Sequence, residues 1–329
     1  MPDQLLFGLE IALNGLMAGV MYSLVALGFV LIFKASGIFN YAQGVMALFA
    51  AMTLVGIQNG QVPFAHLINA VFGTSVHHFG WEVPALAAIL LTVVVMAGFA
   101  WLVNKVIFKH LVNQEPIILF MATIGLAYFL EGVADLMWGS EIKTLDVGLP
   151  QGINDWLEAT TFDALGYGFF IDNLDIVATI IAGLLVAGLV AFSQYTKQGR
   201  ALRAVADDHQ AALSVGISLN FIWVLVWSIA GFVALVAGIM WGAKSGVQFS
   251  LSLIALKALP VLMLGGFTSI PGAIVGGLII GVGEKLFEFL IGQPYLGGAT
   301  ETWFAYVLAL VFLVFRPQGL FGEKIIERV

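Results

Sequence analysis

The chain has 329 residues, 60% of them hydrophobic and only 10% charged, with 38 glycines and a mean hydropathy of +1.01. Soluble domains carry about a quarter charged residues, so this composition specifies an all-α polytopic membrane protein. The lack of cysteine excludes disulfides, thiol catalysis and thiolate metal sites. The net charge of −7 argues against nucleic-acid binding.

The N-terminus, MPDQLLFG, lacks the basic region of a signal peptide, so the first apolar run is expected to remain as a membrane helix. That run, Leu5 to Phe33, contains Asn14, Tyr22 and Ser23. Its Gly15 and Gly19 have the small-xxx-small spacing that lets two helices approach closely. A break follows over SGIFNYAQG, residues 36–44, where Asn40 and Gln43 open a second span to about Ile57. The loop Gln58 to Glu82 holds no Lys or Arg. Pro84 to Val103 and Pro116 to Trp138 read as the third and fourth spans. Residues 139–172 form the longest hydrophilic loop, and Asn173 to Tyr195 the fifth span.

Residues 196–218, TKQGRALRAVADDHQAALSVGIS, are the most polar stretch of their length between long apolar segments. Asp207 with Gln210 has capping-box spacing, and Gly216 supplies a left-handed stop. The reading is a helix of about two turns, Asp208 to Val215, with a loop on each side. Its apolar face, Ala211, Ala212 and Val215, offers a shallow knob to a partner groove. A passive connecting loop is the alternative.

Phe221 to Trp241 is the sixth span. Leu251 to Leu264 is apolar but short, about 21 Å as a helix, and is broken by Pro260. GGFTSIPGA, residues 265–273, leads into a Gly-rich span from Ala273 to Ile291, and Trp303 to Phe315 is the last. The expected fold is a single domain, 1–329, with about eight or nine membrane elements and broken or re-entrant helices. A weak internal repeat aligns Ala26, Leu27, Leu31, Ile32, Ile38 and Gly44 with Ala258, Leu259, Met263, Leu264, Ile270 and Gly276. Paired broken helices in two halves point to a translocation pathway, with chance likeness of apolar segments as the alternative.

Orientation follows from the basic residues. If residues 196–218 are cytoplasmic, nine of the thirteen Lys and Arg face inside, among them Lys34, Lys105, Lys109 and Arg316. The N-terminus is then outside, the C-terminus inside, and loop 139–172 extracytoplasmic.

No HExxH, GxSxG or GxxxxGK[ST] motif occurs, so no catalytic, metal or nucleotide site is expected. His77 and His78 suit solvation better than chelation. Glu131, Asp135, Glu284, Lys285 and Glu288 fall near predicted span ends, where snorkelling explains them. A proton- or sodium-driven carrier usually shows a carboxylate in mid-span. Lys257 precedes the broken segment and is either an anchor or part of the path.

Three stretches carry a resemblance over nearly the whole chain: NGLMAGVMYSLVALGFVLIFKASGIFNYAQG, RALRAVADDHQAALSVGI, and SLIALKALPVLMLGGFTSIPGAIVGGLIIGVGE followed by FRPQGLFG. The sequence resembles the permease subunits of bacterial ABC importers for branched-chain amino acids, the LivH type, and their amide and urea relatives. That resemblance implies an inner-membrane protein with two ATP-binding subunits, a second homologous permease and an extracytoplasmic solute-binding protein as partners. It implies no cofactor in this chain and ATP hydrolysis elsewhere. It makes residues 200–216 a coupling helix docking into an ATPase, with Arg200, Arg203, Asp207, Asp208, Ala211, Ala212 and Gly216 at the contact. Pathway candidates are Asn14, Tyr22, Ser23, Asn40, Gln43, Lys257, Thr268 and Ser269. For each, helix–helix hydrogen bonding is the competing role. A stand-alone secondary carrier or channel is the alternative function.

Overall fold

The computed structural model describes residues 2–111, 114–207 and 209–322, without the side chains of residues 2, 3, 66, 207, 209 and 210. The regular elements among them are helical: α1 (Pro2–Ser36), α2 (Gln43–Gln58), α3 (Ala65–Phe72), α4 (Ala85–Val106), α5 (Pro116–Trp138), α6 (Asp155–Leu165), α7 (Asn173–Tyr195), α8 (Lys197–Asp207), α9 (His209–Ser214), α10 (Leu219–Ser245), α11 (Ile254–Gly265), α12 (Ile270–Phe287) and α13 (Glu301–Phe315). Five are long and apolar enough to cross a membrane. Two shorter apolar helices, α2 and α13, and a pair bent by 112° at residues 266–269 complete the expected series in the expected order. The chain is an all-α polytopic membrane protein.

The helices fall into two compact units, each assembled from separate stretches of chain. The first takes residues 1–30, 149–190 and 256–329; the second takes 31–148 and 191–255. Each contains one broken helix pair: α11–α12 in the first, and the end of α1 with α2 in the second.

In the second unit α2 is the central element. Nearly all its residues are buried, and α4, α5 and α10 pack on it. Such a helix is hydrophobic all round because every face meets protein. Small residues permit the close approach. A Cβ at Gly238 would sit 2.5 Å from the Ala47 carbonyl, and one at Gly56 would sit 2.2 Å from the Trp138 ring.

In the first unit α1 crosses α12 along a glycine seam. A Cβ on Gly15 would lie 2.8 Å from the Gly281 carbonyl, and one on Gly19 would lie 2.4 Å from that of Gly277. Both helices thus carry the small-xxx-small spacing, and the two motifs face each other. The other side of α12 meets α11, where Gly265 and Gly272 touch backbone to backbone at the bend.

The segment after α13 returns to this bend. Leu320 and Phe321 donate their backbone N–H groups to the carbonyls of Leu264 and Gly265, at 2.8 and 3.1 Å. Those carbonyls end α11 and lack intrahelical partners. Gly319, at φ +79°, makes the turn that brings the segment back. The PQGLFG stretch is therefore the C-terminal cap of a helix more than fifty residues earlier.

The two long loops hold structure that composition concealed. Loop 58–82 contains α3, and loop 139–172 contains α6. Asn154 caps α6, accepting from the Leu157 N–H at 2.8 Å and donating to Asn173. Glu10 of α1 accepts from the Tyr167 hydroxyl at 2.7 Å and from the Phe170 N–H at 3.3 Å, which ties this loop to the first helix within the same unit.

Candidate functional site

The polar stretch before α10 folds as two helices, where the sequence suggested one helix between loops. Thr196 caps α8: its hydroxyl accepts from Gly199 N–H at 2.9 Å and donates back to the Phe192 carbonyl. Gly199 presses so closely on Phe192 and Ser193 that a Cβ would clash with their backbone. The chain therefore turns sharply out of α7. Leu202 and Val205 are buried, while Arg200 is exposed and Arg203 partly so. This is the period of an amphipathic helix lying on the protein.

Asp207 ends α8 instead of starting α9 as its N-cap; Asp208 and the Gln210 side chain lie outside the described residues. The stop signal is as expected. Gly216 has φ +85°, its N–H reaches the Leu213 carbonyl, and the Ile217 N–H reaches that of Ala212. That pair of bonds is a Schellman motif. The exposed knob differs from the expected one. Ala212 is only 2% exposed, because α9 packs this residue inward towards α8 and the start of α10. Leu213 and Val215, 53% and 75% exposed, form the outward apolar surface, flanked by exposed Ala211.

The two broken pairs hold the other candidates. In the second unit Asn40 and Gln43 are both buried. The Asn40 carboxamide donates to Gln43 Oε1 at 3.2 Å and accepts from the Ala42 N–H; Gln43 donates to the Ala230 carbonyl of α10. Thr123 of α5, absent from the sequence candidates, accepts from the Tyr41 N–H and lies within reach of the Phe39 carbonyl. These bonds pair the Tyr41 and Ala42 N–H groups and the Phe39 carbonyl of the non-helical segment, the kind of internal satisfaction that a break within a membrane protein requires. Asn40 and Gln43 are engaged in holding the break in its own unit.

In the first unit Ser23 is also a tie. It lies in the glycine seam and is within hydrogen-bond reach of the Gly19 and Ala273 carbonyls. Ser269 caps α12, accepting from the Gly272 N–H at 3.0 Å, and Thr268 is half-buried beside it in the bend. Asn14 is half-buried next to seam residue Gly15.

The most polar constellation joins α1, α11 and α12. Tyr22 donates its hydroxyl to Glu284 Oε1 at 2.5 Å, and Lys257 Nζ is 3.2 Å from the Tyr22 oxygen and 3.9 Å from Glu284. The ammonium also stands 5.2 Å from the Tyr22 ring centroid. Glu284 is 1% exposed, and the Lys257 side chain 34%. The reading of Glu284 as a snorkelling end residue is thereby corrected. α12 does not stop near it but continues as a π-helical stretch to Leu296, which puts Glu284 mid-helix. Its neighbours do not snorkel freely either. Lys285 pairs with Glu301 at 2.8 Å, and Glu288 accepts the N–H groups of Ala299 and Thr300.

A polar cavity of about 530 Å³ opens in the second unit between residues 61–78 and 135–143, with His77, His78, Asp135, Glu141 and Lys143 on its walls. Lys143 donates to Gln61 Oε1 and to the Trp138 carbonyl. Burial lowers its pKa below the ordinary lysine value, against the opposing pull of Glu141. No group of three metal-ligating side chains occurs among the described residues.

The α8–α9 arm, the two broken pairs and the buried Tyr22–Lys257–Glu284 cluster lie within one recognised sequence pattern. Residues 11–316 match the family described as branched-chain amino acid transport system / permease component. The chain belongs to this permease family. It is similar over its full length, at 28% identity, to the high-affinity branched-chain amino acid transport system permease protein LivH of Salmonella typhimurium, 100% of which is covered. It is 28% identical to the corresponding protein BraD of Pseudomonas aeruginosa, over 98% of each chain. The ribose import permease protein RbsC of Escherichia coli is 26% identical over 86% of this chain and 85% of its own. The matched residues extend over both compact units.

Proposed function

We propose that this chain is the transmembrane permease subunit of a bacterial ABC importer that moves branched-chain amino acids or a similarly small polar solute. The relatives' names support the solute class, and the exposed Leu213–Val215 surface of the α8–α9 arm supports the coupling role. That surface is apolar, is stopped by a tight helix cap, and stands on a helix anchored by Leu202 and Val205. An apolar knob of this kind suits a groove on a second protein. Two ATP-binding subunits supply hydrolysis, a second homologous permease completes the path, and an extracytoplasmic binding protein delivers solute. The chain itself needs no cofactor. Arg200 and Arg203 add charge at the rim of the contact.

The test uses the assembled importer in proteoliposomes. Val215→Asp combined with Leu213→Asp buries two charges in the docking groove, a cost of several kcal/mol. Co-purification of the ATP-binding subunits is expected to fall at least tenfold, with the permease still monodisperse. Normal assembly and ATP-driven uptake would remove the arm from the interface. Uptake by the permease reconstituted alone would instead favour the secondary carrier, a reading to which mid-helix Glu284 gives some chemical basis.

The proposed orientation places the N-terminus outside, the arm inside and the C-terminus inside the inner membrane. Single cysteines at Asp163 and Gln198, both exposed, test this in a chain with no native cysteine. A membrane-impermeant maleimide should label position 163 in intact cells and position 198 only after lysis. The reverse pattern overturns the topology.

A further inference from the structure

The second unit carries an apolar groove of about 420 Å³ on the flank of α4 and α5. Val95, Phe99, Leu102 and Val106 of α4 form one wall, Leu126 and Phe129 of α5 the other, and Phe49 of α2 lies at its back. Gly98 also lines it, and a Cβ there would meet nothing within 4 Å. The glycine therefore leaves open space; it does not serve a close helix contact as Gly19 and Gly281 do. The groove ends at Val106 and Ile107. There the chain presents Lys105, Lys109 and His110, all exposed, with Glu115 the one acid among the described residues between Lys105 and Pro116. Lys105 lies 4.5 Å from the centroid of the Trp101 ring, an interface-type pairing of an aromatic and a cation.

A dry groove with a cationic mouth is the shape of a lipid site. A single hydrocarbon chain fits its volume, whereas a helix about 10 Å across does not enter it. The basic cluster selects for negative charge at the headgroup, because lysines at a membrane surface favour anionic lipids. On the orientation proposed above, this mouth faces the cytoplasmic leaflet. We infer that the α4–α5 groove is a specific site for an anionic phospholipid, with one acyl chain between the helices and the phosphate at Lys105 and Lys109.

The full-length permease, exchanged into detergent, is titrated with phosphatidylglycerol and with phosphatidylcholine of the same chains, and retained lipid is counted by native mass spectrometry. Phosphatidylglycerol is expected to be retained at least fivefold over phosphatidylcholine. Lys105→Gln with Lys109→Gln should abolish that preference. Gly98→Leu should plug the groove without a backbone clash and remove the retained lipid, with an unchanged melting temperature showing that the fold persists. Equal retention of the two lipids by the wild type would overturn the inference. So would a preference that survives the double glutamine variant, or retained lipid that survives Gly98→Leu. Loss of the second permease from the assembly in Gly98→Leu, with lipid retention unaltered, would assign the groove to a subunit contact and overturn it equally.

Discussion

Gly281→Leu is expected to abolish the folded permease. A Cβ at position 281 would lie 2.3 Å from the Gly15 carbonyl oxygen and 2.4 Å from the Gly19 nitrogen, and both neighbours are backbone. No rotamer change relieves such a contact; α1 and α12 must separate. Overpacking that displaces backbone costs about 1–3 kcal/mol and occasionally more, and separation adds the loss of the Ser23 and Tyr22 bonds across the same seam. Gly283, one turn face away, meets only the Phe304 and Leu308 side chains, the nearest at 3.2 Å, and Gly283→Ala should be tolerated. Fluorescence-detected size-exclusion chromatography of both variants reads the difference. A monodisperse Gly281→Leu protein with wild-type melting would show that α1 and α12 do not meet backbone to backbone at this position.

Glu284→Ala is expected to produce the second largest loss. Glu284 is fully buried and accepts the Tyr22 hydroxyl, with the Lys257 ammonium beside it. Removing it takes the carboxylate acceptor from a buried hydroxyl and leaves a cation without its counter-charge. Breaking a buried pair by one partner costs about 3–5 kcal/mol; Lys257 is about a third exposed, so solvent screens its share and the lower end applies. Glu284→Gln keeps a carbonyl acceptor for Tyr22 and should lose less than half as much. Lys257→Met in the Glu284→Ala background should restore part of the loss, because the stranded cation is gone. Melting temperatures of the three variants decide the matter; equal values for all would show that the cluster contributes nothing to stability. Uptake by Glu284→Gln, measured with the full importer, separates a purely structural cluster from one that solute meets.

The class of fold was plain in the composition, and the two breaks were plain in their Gly, Asn and Ser punctuation. Gly216 was equally legible, because a left-handed helix stop depends only on local backbone freedom. Glu284 was not. In the sequence it lies in EKLFE, a charged end to a Gly-rich run. Its partner Tyr22 stands 262 residues earlier, and nothing local announces that pairing. Ala212 was misplaced for a related reason. Periodicity identifies an apolar face on a helix as short as α9 but does not say whether that face meets its own chain or another. The arm's first helix, α8, escaped notice because its stretch is polar: only Leu202 and Val205 mark the buried side. Asn40, Gln43 and Ser23 have the side chains of pathway residues, and only their bonding pattern reveals that they hold helices together.

The segmented make-up of the two units has a consequence for biogenesis. The second unit needs no residue beyond 255, so its chain is complete while the ribosome is still translating the bent pair. The first unit begins with α1 and ends with the segment that caps α11. Throughout most of synthesis, Gly15 and Gly19 therefore stand in the bilayer without α12, and Tyr22 waits for Glu284. A nascent chain released early leaves α1 with an unfilled glycine face and a buried-type hydroxyl in lipid.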